Sequence, residues 1–152
     1  MTDTLKATIQ HDLHDSMRQR DQVRSSTLRM VLAAITTEEV SGDTARTLSE
    51  DETLKVVAKE AKKRREASTA YTDAGRPELA AKEDAELEVL QGYLPEQLDD
   101  GALAEIVDRA IASTGATGMA QMGQVMKVAQ GEIAGRADGG AVAAMVKARL
   151  GS

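Results

Sequence analysis

The sequence predicts an all-α protein, a four-helix N-terminal unit followed by a three-helix C-terminal domain. Two observations carry that reading. Apolar residues return at helical spacing over most of the 152 residues, bracketed by helix start and stop signals. No stretch alternates apolar with polar residues as a half-buried strand would, and no internal repeat or low-complexity segment is present.

Leu5, Ile9, Leu13 and Met17 mark an amphipathic first helix from about Asp3 to Gln19. Asp21 can cap a second, about Gln22 to Glu39, with Val23, Leu28, Val31, Leu32 and Ile35 on its apolar face. Ser41-Gly42-Asp43 breaks the pattern. Ser49, followed by Glu52, has the form of a capping box and opens a long third helix to about Ala74, with Leu54, Val57, Ala58, Ala61 and Tyr71 inward and Gly75 placed to end it. Pro77 suits the first turn of a fourth helix, about Glu78 to Gln91, which makes helices three and four an antiparallel hairpin.

Pro95, within Tyr93-Leu94-Pro95-Glu96-Gln97-Leu98, ends helical continuity, and the composition shifts beyond it toward Ala, Gly, Val and Met. The expected domains are therefore 1–95 and 96–152. Three shorter helices are expected in the second, about Gly101 to Ser113, Met119 to Gln130 and Gly140 to Leu150. Gly115, Gly118, Gly131, Gly135, Gly139 and Gly140 punctuate them.

Composition narrows the chemistry. Cysteine is absent, which excludes disulfide and thiolate chemistry and suits a reducing cytosol. No apolar run, that through Val31 to Ile35 included, approaches the roughly 18 residues of a membrane span. Met1-Thr2-Asp3-Thr4 has neither the basic nor the apolar region of a signal peptide, so a cytoplasmic location is expected. A net charge of −6 opposes indiscriminate binding to nucleic acid or anionic lipid, so neither membrane nor DNA is an expected partner. With two Tyr and no Phe or Trp, base-stacking platforms are excluded, and any RNA contact must work through shape and phosphates.

No catalytic set is legible, and neither cofactor nor metal is expected. His11 and His14, with Asp12 and Asp15 alongside, could offer ligands to a metal, but two solvated histidines are the plainer reading. Gly118 to Gln124 has phosphate-loop glycine spacing without its Lys and Ser/Thr, and reads as a helix start. Ser25 and Ser26 sit inside a helical pattern without flanking glycines and read as helix-surface serines. No segment isolates a carboxylate in the apolar setting that would raise its pKa. Met119, Met122 and Met126 read as core. Lys55, Lys59, Lys62 and Lys63, within a stretch that continues to Arg64 and Arg65, form a secondary basic face that could meet RNA. A solvated face pairing with Glu52, Glu60 and Glu66 is the simpler reading.

Three ordered motifs, Tyr93 to Leu98, Met122-Gly123-Gln124-Val125-Met126-Lys127 and Gly135-Arg136-Ala137-Asp138-Gly139, resemble the GatB/YqeY family. Leu28 to Val31 and Lys62 to Arg64 extend the likeness to its free-standing YqeY-like members. The resemblance implies a C-terminal domain similar to the tail of the B subunit of glutamine-dependent aminoacyl-tRNA amidotransferase, which helps engage tRNA. It also implies a family association with carbon-nitrogen ligases using glutamine as amido donor. The catalytic parts of that enzyme lie elsewhere and have no counterpart in this chain.

The expectation is thus an accessory binding protein with no catalysis of its own. Its partners would be tRNA and amidotransferase or aminoacyl-tRNA-related proteins, and the rival is a protein adaptor without an RNA role. The residues expected to bind are Gln124, Lys127, Arg136, Gly139, Gly140, Lys147 and Arg149: cations for phosphates, Gln124 and the amides at Gly139 and Gly140 for neutral hydrogen bonds. From Glu96 onward five cations face seven carboxylates, a net charge of −2, so any such grip must come from local segregation of charge.

Overall fold

Residues 4–151 are described by a computed structural model, in which the chain divides into two compact units between Leu94 and Pro95. Among the described residues there are helices and no strands.

The first unit holds α1 (Leu5–Arg18), α2 (Gln22–Glu39), α3 (Glu50–Asp73) and α4 (Pro77–Gln91). Asp3, where the sequence places the start of the first helix, lies outside the described residues; the Thr4 hydroxyl accepts from the Ala7 amide and caps α1. Asp21 does the same for α2 through the Arg24 amide. At the head of α3 the capping box is complete: Ser49 Oγ accepts from the Glu52 amide at 3.1 Å, and Glu52 Oε1 accepts from the Ser49 amide at 3.1 Å. Gly75, at φ +73°, turns the chain out of α3 in the left-handed conformation a side chain would resist.

Two antiparallel hairpins result. Lys6 meets Glu39 while Ser16 meets Ser25, so α2 descends as α1 ascends; Arg64 meets Glu86 while Ser68 meets Asp84, which sets α4 against α3 in the same sense. Ile9, Leu28, Val31, Ile35, Leu48, Val57, Ala61 and Leu90 close the core between them. Leu48 belongs to the loop before α3, so burial anchors that connection too.

The second unit is α5 (Asp100–Thr114), a short 3₁₀ turn (Met119–Gln121), α6 (Met122–Ile133) and α7 (Gly139–Leu150). Val107, Val125, Ala129, Ile133, Val142 and Val146 are completely buried at its centre. Asp99 caps α5 and Asp138 caps α7, each carboxylate accepting the amide three residues on.

Four expectations need correction. Met119 does not join α6 but sits in the preceding 3₁₀ turn and is exposed, whereas Met122 and Met126 pack on the core. Gly131 does not end α6: the helix runs on to Ile133, whose full burial outweighs a cost of about 1 kcal/mol for an interior glycine. Val23 is exposed, because it stands about 140° around α2 from Leu28; Thr27 takes the buried place. Ser25 is no surface serine. It is buried at the α1–α2 contact, where Ser16 Oγ donates to the Leu13 carbonyl at 2.8 Å and so receives the Ser25 proton across 2.8 Å.

Candidate functional site

The seven residues expected to bind lie on α6, on α7 and in the turn between them, and the structure gives them different work. At about 100° per residue, Gln124 and Lys127 stand on the solvent face of α6, opposite the buried line of Val125, Ala129 and Ile133. Both are exposed, and Lys127 forms no side-chain hydrogen bond or ion pair among the described residues. Lys147 is likewise exposed and without such a partner, in the last turn of α7, where its charge complements the helix dipole.

Arg149 stands about 200° around α7 from Lys147, so the two diverge; its guanidinium pairs with Asp108 of α5 at 3.2 Å. Arg136 is half-buried and faces its own backbone. Its Nε donates to the Ile133 carbonyl at 2.9 Å and its Nη2 to the Glu132 carbonyl at 2.7 Å. These bonds satisfy carbonyls that the end of α6 leaves open, while Ala134 and Gly135 carry the chain through positive φ. The Arg136 carbonyl in turn accepts from the Leu98 amide at 2.8 Å, tying the end of the Tyr93–Leu98 motif to this turn. Gly139 and Gly140 open α7, but the Asp138 carboxylate already accepts from the Ala141 amide there and places negative charge where an anion would sit.

Arg109, the remaining cation of the unit, pairs with Glu132. Among the described residues, Lys127 and Lys147 are thus the two cations of the unit whose side chains are engaged by neither a carboxylate nor a backbone carbonyl. On α3, Lys55, Lys59 and Lys62 share the face opposite Val57, and Lys63 at its edge pairs with Glu60 at 3.2 Å.

Two constellations in the first unit were not legible as sites. In one, the Tyr93 hydroxyl donates to Asp12 Oδ2 at 2.6 Å and accepts from Arg24 Nη2 at 3.1 Å, with the guanidinium over the ring. Burial, then the hydrogen bond to Asp12, pushes the Tyr93 phenol far above its ordinary value. In the other, Arg64 turns inward. Its guanidinium lies 3.0 Å from Glu86, 3.7 Å from Glu83 and 3.6 Å from Glu60. Burial first, and the Glu83 carboxylate second, push the Glu86 carboxyl above its ordinary value, against the pull of Arg64. This overturns the expectation that no carboxylate is so placed. The available signal was periodicity, since Arg64 falls on the same stripe of α3 as Val57 and Ala61.

His11, Asp12 and Asp15 bring potential metal-ligand atoms within 4.8 Å of one another, without His14. Both carboxylates are engaged: Asp12 by Tyr93 and Arg24, Asp15 by Arg18 and His11. The neighbouring guanidinium charges oppose a cation there.

Fold and surface together define a small all-helical protein of two units whose chemistry lies in charge and hydrogen bonding on helix faces. No helix among the described residues is long and apolar enough to cross a membrane. The chain belongs to the Yqey-like protein family, which it matches over residues 6–150. It is 34% identical over 93 residues to an uncharacterized protein of Schizosaccharomyces pombe, covering 60% of this chain and 73% of that one. It is also 30% identical over 132 residues to the altered inheritance of mitochondria protein 41, mitochondrial, of Pyrenophora tritici-repentis, covering 85% and 71% of the two chains.

Proposed function

We propose that this protein is an accessory RNA-binding protein of the cytoplasm, engaging tRNA or a tRNA-associated partner through its second unit, without catalysis of its own. The observation that carries the reading is the division of labour among the five cations of that unit. Arg109, Arg136 and Arg149 serve its internal architecture, whereas Lys127 and Lys147 present unengaged charge. Gln124 beside Lys127 adds a neutral donor. The likeness of the Met122–Lys127 and Gly135–Gly139 motifs to the amidotransferase B-subunit tail supports tRNA over other polyanions, and amidotransferase or aminoacyl-tRNA-related proteins as its company.

Binding through a few lysines is weak and salt-sensitive. With two to four phosphates neutralised, log affinity falls against log salt with a slope of roughly −2 to −3. Titration of purified tRNA at low salt tests this. Replacing Lys127 and Lys147 together by Ala weakens binding and flattens the slope by roughly one to two. No binding by the wild-type protein, or an unchanged slope in the double variant, transfers the function to a protein adaptor, for which exposed Met119 and Val128 offer an apolar contact. Supplied with glutamine, ATP, magnesium and misacylated tRNA, the protein alone releases no ammonia and forms no amide.

A further inference from the structure

The α3–α4 hairpin encloses more negative charge than its one buried cation balances. Glu60, Glu83 and Glu86 retain 12%, 18% and 10% of their side-chain exposure, and Arg64 retains 14%. From α3 the charged groups facing the cluster are Glu60, Arg64 and, at the rim, Lys63, which is bound to the outer oxygen of Glu60. From α4 they are Glu83, Glu86 and Lys82, the last acting on Glu86 only through its field. From α2 comes Met30, whose sulfur lies 3.7 Å from Arg64 Nη2. Two buried polar atoms have no hydrogen-bond partner, Glu83 Oε2 and Arg64 Nε, which stand 3.7 Å apart, and Glu83 lies close enough to act on the Glu86 carboxyl.

A buried acceptor without a donor costs about 1–3 kcal/mol, and two neighbouring carboxylates in a dry site repel. A single proton removes both penalties. We propose that Glu83 and Glu86 hold one shared proton in the folded protein, and that this proton makes the α3–α4 hairpin a pH-sensitive latch. Protonated, Glu86 donates to Glu83 and leaves one net carboxylate of the pair for Arg64. Deprotonated, the pair carries two charges against a guanidinium that Glu60 also draws on. The unfolded chain holds the proton less tightly, so the latch is strongest near the ordinary carboxylate range and weakens as pH rises above it, through the folded-state value.

The test is a carboxyl ¹³C titration of the full chain labelled at glutamate, together with urea unfolding followed from about pH 4 to pH 8. One carboxyl of the pair should ionise above the ordinary value of about 4.3. The unfolding constant should rise with pH by up to about tenfold per unit over part of that window. Glu86→Gln, which mimics the protonated form, should flatten this dependence and be at least as stable as wild type at the alkaline end. Groups outside the cluster are common to both proteins, so the difference between the two curves isolates the pair. Ionisation of both carboxyls in the ordinary range overturns the proposal, as do superimposable pH profiles of wild type and Glu86→Gln. Should that variant fail to fold, the carboxyl titration of the wild-type chain decides alone.

Discussion

The hydroxyl of Tyr93 donates to the carboxylate of Asp12 at 2.6 Å, joining residues 81 positions apart. Through this bond the chain leaving α4 is fastened to α1, and Arg24, donating to the same hydroxyl, adds α2. The aromatic that opens the Tyr93–Leu98 motif therefore closes the first unit. Tyr93→Phe keeps the ring and loses both bonds, so it should cost about 1–3 kcal/mol in urea unfolding. A double-mutant cycle with Asp12→Asn would detect the coupling; strict additivity would show that the bond contributes nothing.

The same site sets an alkaline limit. A folded-state phenol value raised above the unfolded value of about 10 means the folded chain holds its proton longer. Its contribution is fully present below about pH 10 and is lost as pH climbs toward the higher folded value. Phenolate absorbance should therefore show one of the two tyrosines ionising only as the first unit unfolds, and Tyr93→Phe should abolish that late step.

At the head of α3 the prediction concerns acid. The Ser49 amide, then Arg46, hold the Glu52 carboxyl below its ordinary value. A lowered folded-state value gives stability that is present above the unfolded value and disappears as pH falls through the folded one. Ser49→Ala should cost about 1 kcal/mol near neutrality. Glu52→Gln should reduce the acid sensitivity of the amides in the first turn of α3, as read by hydrogen exchange.

In the second unit, Ile133→Ala should lower stability by about 2–5 kcal/mol, because the side chain is completely buried among Val125, Ala129 and Val142. Exchange should accelerate in α5, α6 and α7 first. Equal acceleration across α1 to α4 would mean that the two units unfold as one.

Limited proteolysis probes the connection between the units. Cleavage is expected between Gly92 and Ala102, where the chain runs between α4 and α5, leaving a folded fragment from each side. Cuts confined to residues 41–48, with that connection resistant, would argue against a mobile junction.

Much of the fold was legible because its signals are local. The limits of α2, the Ser49–Glu52 box and the Gly75 turn each depend on residues within one helical turn of one another, where propensity and capping act. Errors arose where burial competed with those signals. Gly131 reads as a stop until Ile133 is seen to fill the core, and Ser25 reads as surface until Ser16 of another helix is found against it.

What the sequence by itself determined is the helical pattern, the order of its elements and the absence of an aromatic platform, all properties of spacing and composition. Tertiary structure decided which charges are at work and which are at rest. Arg109, Arg136, Lys127, Lys147 and Arg149 are all cations in the sequence, yet three are engaged by Glu132, backbone carbonyls and Asp108, and two are not. Arg64 looks like one more residue of a basic run, yet faces three glutamates. The reason is physical: a charge is set by neighbours a few ångströms away through space, and in a helical protein most of those neighbours come from another helix.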